Sequence, residues 1–183
     1  MPSRVTFSEE ILDSEEVAVF HSQTAACIRF YYNQPLLAAI DPRFIGYTIP
    51  EVETERDQRL KELDRNSSFI LLAAIEAGFR VDFLVRCYSR YKDDLSRRFQ
   101  DILKQRDDNI SNISLEKDIL DSWKELVPQS KPLISQVKAA FRYRHWLAHG
   151  CYWTPKLGRN YDFASIYLLA QGIGQAIDLL SPG

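Results

Sequence analysis

Apolar positions along the chain recur mostly three and four residues apart, and short polar or proline-bearing stretches separate the runs. The first run predicts a helix over about Ser14–Tyr32, with Ser14 and the acids after it as the start signal and Pro35 beyond its end. The stretch QPLLAAIDPRFIGYTIP, with three prolines and a glycine, reads as an ordered loop over apolar surface. From Glu51 to about Arg65 charge dominates, as in a solvated helix or helical arm. Asn66-Ser67-Ser68 then offers a cap. The stretch FILLAAIEAGFRVDFLVRCYSRY after it is apolar on nearly every side, which marks the most buried helix. Amphipathic patterns follow over about Asp94–Arg106 and Ser114–Val127, the second closed by Pro128. Pro132 fits the first turn of the next helix, and Gly150 fits its end. A last helix is predicted over about Asp162–Leu180.

Strand signals are confined to Val5–Phe7, where weak pairing is conceivable, and to a short CYW after Gly150. The expectation is an all-α bundle of about five to seven helices. It forms one domain over 1–183, with an acidic N-terminal helix and loop (1–66) packed on a core bundle (67–180). Hydrophobic residues at 45% and charged residues at 26% are ordinary for a soluble globular chain. No run approaches the roughly 20 apolar residues of a membrane span. The acidic N-terminus lacks a signal-peptide core. Three scattered cysteines (Cys27, Cys87, Cys151) form no C-x-x-C pair, which fits a reducing compartment. A cytoplasmic protein that does not enter membranes is expected.

Charge changes the picture only when mapped. The net charge is −2, yet Lys131–Asn160 holds six cations and no acid, while Glu9–Glu16 and Glu51–Asp64 are acid-rich. Lys138, Arg142, Lys156 and Arg159 are therefore candidate phosphate or RNA contacts. Within that basic segment lies FRYRHWLAHG, Phe141 to Gly150, with two of the chain's three histidines. As a helix end, its Arg and His would interact with the dipole by about 0.3–1 kcal/mol each. As a metal site, His145 and His149 have the right spacing. The segment lacks the Glu of H-E-x-x-H, however, and two arginines would repel a cation, so no metal and no cofactor are expected. Phosphate chemistry fits better. On an ideal helix Arg142, His145 and His149 fall within about 60° of one another. Imidazole moves protons near neutral pH, and a guanidinium fork holds phosphate and its developing charge. Arg144 lies off that face unless the helix loosens near Gly150 or a second copy completes the site.

The run Arg144-His145-Trp146-Leu147-Ala148-His149 resembles the R-(polar)-x-x-x-H signature of HEPN domains. These are small all-α proteins, many of them metal-independent endoribonucleases of toxin–antitoxin, abortive-infection and CRISPR systems. The resemblance implies Arg144 and His149 as the catalytic pair and His145 as the auxiliary polar residue. The family's spacing also admits Arg142 with His149. It further implies an acid on the earlier long helix, for which Glu76 is the match; Glu76 could equally form an i,i+4 ion pair with Arg80. The implied protein is a homodimer with a composite cleft that cleaves RNA to 2′,3′-cyclic phosphate ends. An antitoxin or other defence-system protein is the implied partner. Relatives silenced through a tyrosine two residues after the histidine differ here, because that position is Cys151. A catalytically inactive nucleotide- or protein-binding module is the alternative.

Overall fold

A computed structural model describes residues 7, 12–34, 36–89 and 91–181. Within them the chain is all-helical, with seven α-helices and no strand. The candidate pairing at Val5–Phe7 lies outside the described residues except for Phe7.

Helix α1 spans the expected Ser14–Tyr32, but its cap is Asp13 rather than Ser14: the carboxylate of Asp13 accepts the Glu15 N–H at 3.0 Å. The proline-rich stretch after it is ordered through α2 (Leu37–Ile40) and a 3₁₀ turn over Pro42–Phe44, around a small separate core of Tyr32, Leu37 and Phe44.

Helix α3 runs unbroken from Ile49 to Tyr88, started by a capping box between Thr48 and Glu51. The expected cap at Asn66-Ser67-Ser68 does not form. A cap requires backbone groups without helical partners, and here the ladder continues while Ser67 and Ser68 are buried within α3. The division expected between 1–66 and 67–180 therefore falls inside one helix. The apolar positions of α3 beyond Asp64 form the centre of the main core. There Leu71, Leu72, Phe79 and Phe83 pack with Phe99 of α4 (Asp94–Gln105), Ile134 and Val137 of α6 (Lys131–Ala148), and Ile166 of α7 (Phe163–Ala176).

The segment expected as one helix over Ser114–Val127 winds as a π-helix over Leu115–Leu120 and continues as α5 (Asp121–Leu126). Helix α7 stops at Ala176, short of the expected Leu180. The reason lies on α3: fully buried Asp82 accepts the Leu180 N–H at 2.9 Å, and Arg86 donates to the Asp178 carbonyl at 3.2 Å. Those bonds hold the tail extended. The same Asp82 also accepts from Arg86 Nε at 2.8 Å and from Trp123 Nε1 at 3.2 Å. No helix among the described residues is long and apolar enough to cross a membrane.

Candidate functional site

The last turn of α6 and the loop after it build one wall of a cavity of about 610 Å³. Gly150, at φ +75°, turns the chain out of the helix, and Cys151 follows in the same left-handed region at φ +60°. Trp146 Nε1 then donates to the Trp153 carbonyl at 2.7 Å, which folds the loop back over the end of α6. Trp153, Pro155 and Lys156 thus face Arg142, Arg144 and His145. Glu76 of α3 and Ser114–Glu116, at the start of the π-helical segment, supply the remaining walls.

Glu76 links two arginines. Its Oε1 accepts from Arg80 Nε at 2.7 Å, which is the i,i+4 pair open from the sequence. Its Oε2 lies 2.6 Å from an Nη of Arg144. That contact has the distance of an ion pair but not hydrogen-bond alignment, and the buried Arg144 Nε has no partner. The guanidinium also sits 5.7 Å over the Phe69 ring. Arg144 is 33% exposed and Glu76 16%, so the pair lies at the boundary of the cavity and the core. It is fixed in place by charge and by an aromatic face, with donor capacity remaining.

The fold therefore brings Arg142, Arg144, His145, Lys156 and Glu76 to one cavity within a single chain. The off-face position of Arg144 on the α6 wheel turns it towards α3 and still into that cavity. His149 is different. It is the exposed C-cap residue of α6, outside the cavity lining, with its ring 4.3 Å from His145 and 6.2 Å from Trp153. Lys138 and Arg159 are also elsewhere: the Lys138 ammonium is 2.7 Å from Asp121, and the Arg159 guanidinium covers the Tyr161 ring at 4.6 Å. The segment is free of acids in sequence but not in space, because folding brings Glu76, Glu116 and Asp121 to it.

Trp153 is the site residue that sequence reasoning missed. Its signal was an aromatic residue just beyond a glycine reversal, in a CYW considered only as a short strand. The third histidine, His21, takes no part in the cavity. It stacks on Phe163 at 3.8 Å and lies 3.7 Å from Asp64, and burial pushes its pKa below the usual imidazole value. Burial also raises the pKa of Asp64, whose carboxylate accepts the Phe163 N–H at the start of α7. Among the described residues no three His, Cys, Asp or Glu side chains gather as a metal-binding group. Compared with protein-family models, with curated proteins and with solved structures, the chain matches none.

Proposed function

We propose that the chain is a metal-independent endoribonuclease of the HEPN type that acts on RNA in the cytoplasm as a homodimer. The observation that carries this reading is Arg144, held beside Glu76 at a cavity shared with Arg142 and His145. A guanidinium held in this way is prepared for a phosphate, since less ordering remains to be done on binding.

In the reaction, the RNA 2′-hydroxyl attacks the adjacent phosphorus and the bond to the 5′-oxygen of the next nucleotide breaks. The products are a 2′,3′-cyclic phosphate and a 5′-hydroxyl. Arg144 clamps the phosphate and steadies the charge that builds on its oxygens. His149 moves a proton as general base or acid, and His145 assists. His149 lies outside the cavity of its own chain, so a second copy facing the first across a two-fold axis supplies it to a composite cleft. Arg142 and Lys156 hold flanking phosphates. An antitoxin or another defence-system protein is the fitting partner for such an activity.

The same position of His149 favours a second reading, a binding module without catalysis for a nucleotide or a protein. An end-labelled single-stranded RNA incubated in excess EDTA separates the two. The nuclease gives 2′,3′-cyclic phosphate ends that disappear with Arg144→Ala or His149→Ala while helicity is kept. Intact RNA with retained, Arg144-dependent binding overturns catalysis in favour of the binding module.

A further inference from the structure

Helix α1 is apolar on two opposite faces. Towards α3 it buries Val17, Ala25 and Tyr32. On the other side, within an arc of about 120° on an ideal helix, it exposes Val19, Phe20, Gln23, Ala26, Cys27 and Phe30. A surface helix ordinarily carries its charges on that side, and a helix apolar all round is a covered one. No acid, lysine or arginine occurs between Glu16 and Arg29. Nor is the exposure spread over the molecule: of the thirteen large hydrophobics exposed among the described residues, nine lie between Leu12 and Ile49.

The end of α1 is firmly built. Tyr31 donates to Asp41 at 2.6 Å, Tyr32 donates to Glu55 at 3.0 Å, and Arg43 donates to Glu55 at 2.9 Å, around buried Phe44. Phe30, 72% exposed, and Ile49, 77% exposed, project from this ordered tip. Apolar groups on a preorganised support suit docking, because little ordering remains to be done on binding.

Spacing and charge identify the occupant. Glu16, Val19, Gln23, Ala26 and Phe30 are alternately three and four residues apart, the period of a helix–helix seam. The seam has an acid at its N-terminal end and Arg29 beside its C-terminal end, and neither Glu16 nor Arg29 enters an ion pair among the described residues. A second α1 running antiparallel sets Glu16 near Arg29 at both ends and opposes the helix dipoles. A parallel one sets like charge beside like. We infer that the outer face of α1 docks a second copy of this chain, antiparallel and centred near Gln23. This surface is separate from the α6 cavity and does not depend on the nuclease reading.

Light scattering at tens of micromolar tests it. The native chain is expected as an even-numbered oligomer, and Phe30→Glu should halve its mass with an unchanged circular dichroism spectrum. Glu16→Arg or Arg29→Glu alone should weaken association roughly tenfold, and the double reversal should restore it. Antiparallel packing separates the two Cys27 residues by roughly 12 Å along the axis, too far for a disulfide. A monomeric native chain would assign the face to a different protein and overturn the inference. So would an unchanged mass for Phe30→Glu, or Cys27-linked dimers on mild oxidation.

Discussion

Helix α3 carries three carboxylates with an arginine four residues further on, and the fold places the last two, Glu76 and Asp82, in opposite conditions. Asp82 is 0% exposed and accepts from Arg86, Trp123 and the Leu180 backbone, so both its oxygens are used. Arg86 in turn reaches Ser96 and the Asp178 carbonyl. Glu76 makes the same i,i+4 pair with Arg80, but its second oxygen meets Arg144 without hydrogen-bond alignment and beside a cavity. One local pattern thus serves two ends. Where every donor and acceptor is matched internally, the group joins segments; where capacity remains at an opening, the group can hold a ligand.

That contrast breaks most visibly at Asp82. Asp82→Ala leaves Arg86 Nε, the Trp123 indole and the Leu180 N–H without their acceptor. It should cost about 3–5 kcal/mol in a denaturant titration, with the tail after α7 losing protection first in hydrogen exchange. A loss below about 1 kcal/mol would mean that the network is incidental to the fold. At the other site, Glu76→Gln keeps the volume and removes the charge that holds Arg144. Stability should fall by only on the order of 1 kcal/mol, while RNA affinity or cleavage falls clearly. Equal losses of stability at the two positions would erase the distinction.

How far the sequence foretold this differs by level. Periodicity and punctuation marked the helices well: Pro132 and Gly150 mark the ends of α6 to within two residues. Local signals failed where distant partners decide. Ser67 and Ser68 read as a cap because serine favours caps, yet strong helix-forming sequence on both sides and burial carry α3 straight through them. The end of α7 is not legible locally because Asp82 and Arg86, far back in the chain, hold its tail. At the site, Arg144, His145 and Arg142 were legible as a cluster, and Glu76 as one of two open possibilities. The acids that reach the basic segment come from other helices, so a charge map along the chain could not show them.

The smallest expected effect concerns His21, which lies in neither network. Burial, with a contribution from Arg29, lowers its folded pKa below 6.5, while Asp64 opposes the shift. Between the lowered value and 6.5 the unfolded chain binds more protons than the folded one, so stability rises with pH and is lost as pH falls through that window. The denaturant midpoint should therefore drop modestly from about pH 7 to about pH 5.5, and His21→Gln should flatten that slope. Asp64, raised by burial, acts with the opposite sign around the carboxylate range, which keeps the two effects separable. An unchanged slope in His21→Gln would place the titrating group elsewhere.

The central claim is that the Glu76–Arg144 pair is kept for a phosphate and the Asp82–Arg86 pair for the fold. Its most direct test is the rate of RNA cleavage by Arg144→Lys in excess EDTA, measured on protein whose melting curve is taken in parallel. Lysine keeps the charge beside Glu76 but loses the planar fork. The account predicts a melting curve close to the native one and cleavage slower by at least roughly 10²-fold. Native-level cleavage by Arg144→Lys, or loss of activity only in step with loss of folding, would contradict it.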